Sequence, residues 1–320
     1  MPSSISLADP IWNIPLDGSG DATPGYNAAT LQAERDRVDR VEWGQAILDF
    51  RTKPRQITRA LSIVGVRAMW ASPEDPRGSL GIKSYNVPDS DWLSGPMIGF
   101  APGCMGHSVE NMILKARRGS HGGSLLGCTT APGLGQTMYR YVNCYLTADE
   151  LTSAQLANRQ PNGAYSDAAG HYGLHVQGLE QTTPALGIRS GLIDNVIMFG
   201  FQWGAARIVG HAALTMRGVQ MYPGNSGDAR LTVMGRAEQP TIFDIQGTKC
   251  PRLCLYNAMG RAQFVVIGEN GEQPFVEWDA STYCVGLYAE MCAGSPVGLT
   301  YAQACGLGNH ISVRGSNISW

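Results

Sequence analysis

A short internal period in the C-terminal half constrains this chain more than any other feature. Segments of alternating apolar and polar residues recur there. They are Arg207-Ile208-Val209, Arg230-Leu231-Thr232-Val233, Arg252-Leu253-Cys254-Leu255, Phe275-Val276-Glu277-Trp278 and Gly298-Leu299-Thr300-Tyr301. Aligned on Ile208, Leu231, Leu253, Val276 and Leu299, they step by 23, 22, 23 and 23 residues. Helical repeats of that size show a period of about 3.6 residues, whereas these segments alternate every second residue between turn residues. The Leu-x-x-Leu-x-Leu-x-x-Asn pattern of leucine-rich repeats is missing. Three short strands at roughly 3.3 Å per residue, joined by turns, account for one such repeat. The period therefore predicts an all-β solenoid with the five aligned residues in one inward column.

Composition fits that architecture. Charged residues make up 16% of the chain, against about 25% in ordinary globular domains, and 40 of its 320 residues are glycine. Few charges and many glycines describe short strands between tight turns. A net charge of −2 sets up no field that would recruit nucleic acid or a membrane surface. No apolar run approaches the roughly 20 residues of a membrane-crossing helix. The first basic residue is Arg35 and no apolar stretch precedes it, so no Sec-type signal peptide is expected.

The N-terminal segment adds an order of elements. A polar turn cluster, Leu16-Asp17-Gly18-Ser19-Gly20-Asp21-Ala22-Thr23, leads to Asn27-Ala28-Ala29-Thr30-Leu31-Gln32-Ala33-Glu34-Arg35. With Asn27 as N-cap and Ala28, Leu31, Val38 and Val41 at near-helical spacing, a helix is expected over about 28–41. Two strand-like runs follow, Gly44-Gln45-Ala46-Ile47-Leu48-Asp49-Phe50 and Ile57-Thr58-Arg59-Ala60-Leu61-Ser62-Ile63-Val64-Gly65, split at Lys53-Pro54. This order resembles the opening of pectate-lyase-like β-helix proteins, above all phage tailspikes. It departs from them in reading Arg51-Thr52-Lys53-Pro54 where a P-x-G is usual, and it lacks their leading D-F-G.

The resemblance implies a right-handed single-stranded parallel β-helix with a short N-terminal capping helix. The turn and helix would occupy 1–44 and the β-helix 45–320, with loops projecting near 71–95 and 149–169. It also implies a virion-associated structural or attachment protein that acts by assembly and surface binding, with no cofactor. The rival reading is a polysaccharide-degrading hydrolase or lyase. An uncapped solenoid end exposes apolar side chains and strand edges. The N-terminal helix would close one end and nothing in the sequence closes the other. Expected partners are therefore further copies of the chain, most simply as a trimer, other virion proteins, and a host surface glycan.

Few residues look equipped for chemistry. The motifs of polygalacturonase-like hydrolases and of pectate lyases are missing. The best carboxylate pair is Glu277 and Asp279, which would share the outward face if Val276 and Trp278 point inward. Their α-carbons would lie about 6.6 Å apart, near the spacing glycosidases use, although two solvated acids on a strand are the commoner arrangement. His171 and His175 would be about 13 Å apart on one face, too far for a shared metal, and no metal site is expected.

Two further sets of residues point to contacts. Arg207, Arg230 and Arg252 hold the same place in the aligned repeats, so their guanidinium groups would stack about 4.8 Å apart. Such a ladder needs acids from its own loops, Asp228 or Glu238, or else a subunit contact or an anionic glycan. Eight cysteines fit no paired Cys-x-x-Cys zinc pattern and are open to three readings: core thiols, disulfides formed outside a reducing cell, or metal ligands. Between Leu253 and Leu255, Cys254 is expected to face outward, where an intermolecular disulfide becomes available.

Overall fold

A computed structural model describes residues 3–44, 46–65, 81–84, 96–116, 123–129, 137–148, 171–177, 188–201, 204–210, 213–222, 231–234, 241–247, 253–256, 262–268, 276–278, 285–290, 298 and 300–314. These residues are mostly strand, and every strand pairing among them is parallel. They form a sheet of 14 strands and a sheet of 7. From Ile98–Phe100 to Gly286–Glu290 the chain alternates between the two, one strand in the short sheet and then one in the long sheet.

The longest strands of the long sheet are divided by a single residue. Met105–Ala116, Thr137–Ala148 and Ile188–Phe199 carry Asn111, Asn143 and Asn195 at φ of 57°, 51° and 53°, in the left-handed region. Gly218 takes the same place, at φ 59°, in Leu214–Tyr222. Asparagine and glycine are the residues that tolerate this conformation. The bend also resets the alternation of faces. Val109, Tyr141, Ile193 and Met216 point inward two residues before it, and Met112, Cys144, Val196 and Val219 point inward just after it. The asparagines then join across the stack. Asn143 Nδ2 donates to Asn111 Oδ1 at 3.1 Å, and Asn195 Nδ2 donates to Asn143 Oδ1 at 2.8 Å.

In-register pairing stacks side chains of like kind. One inward column runs Ile5, Val41, Ile63, Val109, Tyr141, Ile193, Met216, Phe243, Phe264, Leu287 and Ile311. Phe243 and Phe264 stack within it, with centroids 4.4 Å apart and planes 5° apart. Each large apolar side chain so buried stabilises by about 1.5–3 kcal/mol relative to exposure.

At the N-terminal end, helix α1 (Thr23–Asp36) lays Tyr26, Ala29 and Ala33 on this core. Tyr26 meets Trp43 and Phe50 at 5.8 and 5.1 Å between centroids. Arg55 clamps the other side, pairing with Glu34 at 2.5 Å while its backbone N–H donates to Asn27 Oδ1. Asn27 is thus not the N-cap. The helix starts earlier because Asp21 accepts from the Thr23 N–H and Pro24 presets the first turn. It also ends earlier, at a left-handed Arg37. Val41 is buried by the strand Arg40–Gly44 and not by a helix. Strands Ile5–Ser6, Asp17–Asp21 and Arg40–Gly44 all belong to the long sheet, so sheet structure begins well before residue 45.

The register corrects the aligned repeats. Leu231 lies level with Ala206, and Ile208 with Val233, so the inward column is Ala206, Leu231, Leu253 and Val276. Leu299 lies outside the described residues. Thr300 precedes a short helix, α2 (Tyr301–Gly306), where a fifth strand was expected. The expected loop at 71–95 contains the strand Gly81–Ser84, which pairs on both sides. The loop at 149–169 lies outside the described residues.

Asn143 both donates and accepts in the ladder, so Asn143→Ala should cost about 3 kcal/mol, counting two hydrogen bonds and the left-handed strain of alanine. Asn143→Gly should cost about 1 kcal/mol less, because glycine keeps the bend without strain. Urea unfolding of the two variants measures the difference.

Candidate functional site

Among the described residues, the outward column of the short sheet, a cluster inside the core and the outward face of the long sheet each bring polar or reactive groups together.

In the short sheet, the outward column reads Gly127, His175, Arg207, Thr232, Cys254 and Glu277. Arg207 is therefore level with Thr232 and not with Arg230, and the three-arginine ladder does not form as aligned. Arg230 and Arg252 themselves lie outside the described residues. Arg207 is only 4% exposed, and its Nη1 lies 2.9 Å from His175 Nε2. A guanidinium has no acceptor, so His175 accepts here and is neutral in this contact. Cys254 is fully buried although it alternates with the inward Leu253 and Leu255. A buried thiol has no reach to a second chain, which removes the basis for an intermolecular disulfide at Cys254. Val276 and Trp278 point inward, as expected, and Glu277 stands beside Cys254 in the register. Asp279, its expected partner, lies outside the described residues.

Inside the core, sequence reading missed a polar relay. His107 Nδ1 lies 3.2 Å from the Cys104 carbonyl, and its Nε2 lies 3.2 Å from the Tyr141 hydroxyl. The carbonyl can only accept, so Nδ1 carries the proton and Nε2 accepts from Tyr141. Cys128 hydrogen-bonds the same hydroxyl. The His107 ring stacks on Phe100 at 3.8 Å. Burial pushes His107 down to about 3 and the Cys104 and Cys128 thiols up to about 12. A thiol beside an imidazole invites a nucleophilic reading, but both groups are neutral and sealed from solvent. The cluster is a satisfied core network.

The outward face of the long sheet divides at the bend. Before it, charges pair across neighbouring strands: Arg217 with Asp194 at 2.6 Å and Arg140 with Glu110 at 3.9 Å. After it the face turns apolar and aromatic. One outward column reads Ile113, Tyr145, Ile197 and Gln220, and the next reads Lys115, Thr147, Phe199 and Tyr222. Their inward neighbours Leu146, Met198 and Met221 are fully buried, whereas Tyr145, Ile197, Phe199, Gln220 and Tyr222 are half-buried. The Phe199 and Tyr222 rings sit 6.3 Å apart, and the Tyr222 hydroxyl donates to Gln220 Oε1 at 2.8 Å. Burial, and secondarily the neighbouring Tyr222, push the Tyr145 phenol up. The signal for this face was present in Tyr145, Phe199 and Tyr222. Assigning it required the register that aligns strands separated by long insertions.

Five cysteines fall among the described residues, and none of them is in a disulfide; Cys305 alone of these is exposed. Maleimide labelling of the native protein should modify Cys305 and leave Cys104, Cys128, Cys144 and Cys254 unmodified until denaturant is added. Peptide mapping reads this out. His107 gives a pH signature. The unfolded imidazole takes a proton below about 6.5, whereas the folded one resists until about 3. Its contribution is present above pH 6.5 and is lost as pH falls, by about 3 kcal/mol at pH 4. Unfolding curves between pH 7 and 4 should show that slope, and His107→Gln should flatten it.

Comparison of the chain with protein-family models, with curated proteins and with solved structures found no match.

Proposed function

We propose that the chain is a right-handed single-stranded parallel β-helix, resembling phage tailspikes, that serves in a virion by assembly and surface attachment. The observation that carries this reading is the in-register column from Ile5 to Ile311, bent at a stacked left-handed residue. A chain that returns to the same place at each repeat builds a long rigid wall. Helix α1 on the Trp43 and Phe50 rings supports it further, since tailspike-like chains open with a capping helix. The architecture favours a scaffold and binding wall over a closed catalytic pocket.

In this reading the functional unit is a homo-oligomer, most simply a trimer, seated among other virion proteins. Sedimentation velocity and native mass spectrometry of the purified chain test the assembly. A species of three chains that persists on dilution is the expected result. A 34.3 kDa monomer at high concentration would count against it. Incubation with capsular, lipopolysaccharide and pectic glycans should leave their reducing ends unchanged. Cleavage that Glu277→Gln abolishes would replace attachment by depolymerisation.

A further inference from the structure

The outward column of the short sheet is closed to water. Arg207, Thr232 and Cys254 hold one position on three successive strands, Gly204–Val209, Leu231–Met234 and Leu253–Tyr256, and are 4%, 2% and 0% exposed. Leu125, Ala205 and Val209 on the same face are buried too. A charge enclosed in this way is held by its contacts, because little water is left to solvate it. One contact of Arg207 is to His175, one strand earlier in the same column.

That contact depends on protonation. Arg207 Nη1 lies 2.9 Å from His175 Nε2, and only an unprotonated Nε2 has a lone pair to accept from a guanidinium. A second proton on the imidazole removes the lone pair and sets two cations against each other where burial penalises charge. The strands on either side of His175 bring no acid to offset this. Gly123–Thr129 contains no charged residue and places Gly127 beside His175, and the one charge of Gly204–Val209 is Arg207 itself. On its own strand, His171–Gln177, the other titratable residues are His171 and Tyr172, whose ring lies 5.7 Å from the imidazole. Across the core, Thr137–Ala148 turns Tyr139, Tyr141 and Cys144 inward, on the opposite side of the short sheet from His175. Beyond Arg207, the buried Thr232 hydroxyl has no hydrogen-bond partner among the described residues, which weakens this layer beside the arginine.

We propose that the His175–Arg207 contact is an acid-sensitive latch: protonation of His175 releases Arg207 and opens the outward layer of the short sheet as far as Cys254. A released imidazole takes up its proton below about pH 6.5, whereas the latched one takes it up only by losing Arg207. The closed form is therefore favoured above that pH, and the open population grows up to about tenfold for each unit below it. The latch stands on this contact and not on the attachment reading, so either can fail without the other.

Cys254 reports the opening, since it lies in the same column roughly 10 Å from Arg207. The intact native protein is treated with 4,4′-dithiodipyridine, which reacts with thiols in mild acid, at a series of pH values from 7.5 to 5, and labelled cysteines are mapped by mass spectrometry. Exposed Cys305 gives the intrinsic rate, and Cys144, buried in the long sheet, marks global unfolding. Relative to Cys305, labelling of Cys254 should be slow above pH 6.5 and rise up to about tenfold per unit below it, while Cys144 stays unlabelled. His175→Gln keeps an acceptor that does not titrate, and should leave Cys254 protected at every pH. Labelling of Cys254 that is flat with pH, that rises only in step with Cys144, or that keeps its acid dependence in His175→Gln overturns the proposal. Should that variant not fold, NMR titration of His175 in the native protein decides. The latch requires a midpoint below about 6.5, and a midpoint at or above that value overturns it.

Discussion

Everything in this structure depends on the parallel backbone ladder that sets each repeat directly over the last. In a parallel sheet the same position of every strand faces the same environment, so like side chains accumulate in columns. The column from Ile5 to Ile311 and the stacked pair Phe243 and Phe264 follow from that constraint. So does the asparagine ladder. An amide carries both a donor and an acceptor, so one residue type repeated at one position can bond to copies of itself indefinitely.

The left-handed bend is the second element of the design. It shifts the alternation of faces by one residue, so a 12-residue strand serves two walls without exposing its apolar side. It also separates two outer surfaces of different chemistry. Before the bend, the outward face mixes ion pairs between adjacent strands, screened and worth little individually, with apolar side chains such as Leu192 and Ile242. Beyond it, the outward positions carry the Phe199 and Tyr222 rings, 6.3 Å apart, and the Gln220 amide. A single backbone conformation thereby divides the core and the surface alike.

Polar groups inside the core follow the same economy. His107, Tyr141, Cys128 and the Cys104 carbonyl exchange hydrogen bonds in one chain of contacts. Each group is neutral because burial penalises its charged form. Cys254 and Arg207 make a related point on the other sheet. Alternation assigns them outward, yet both are buried, since facing away from one core does not amount to facing solvent.

Much of the fold was legible in the residues. The period of two within segments, the steps of 22 and 23, and the N-terminal turn and helix all predicted stacked parallel strands, because side-chain alternation and spacing are local properties of the chain. The exact register was not legible. Ile208 and Leu231 look equivalent, but they sit two residues apart in the stack, and a shift of two preserves the alternation that sequence reading relies on. With that shift Arg207 left the expected arginine column and came to lie beside His175. Asn111, Asn143 and Asn195 are separated by insertions of unequal length, so only the folded chain reveals that they touch. The same holds for Tyr145, Phe199 and Tyr222. The sequence by itself determined that this chain would build its core from short alternating strands, since that pattern is written residue by residue. Only the tertiary structure decided which strands lie side by side, because register is a property of pairs far apart in the chain, chosen by the packing of all the columns at once.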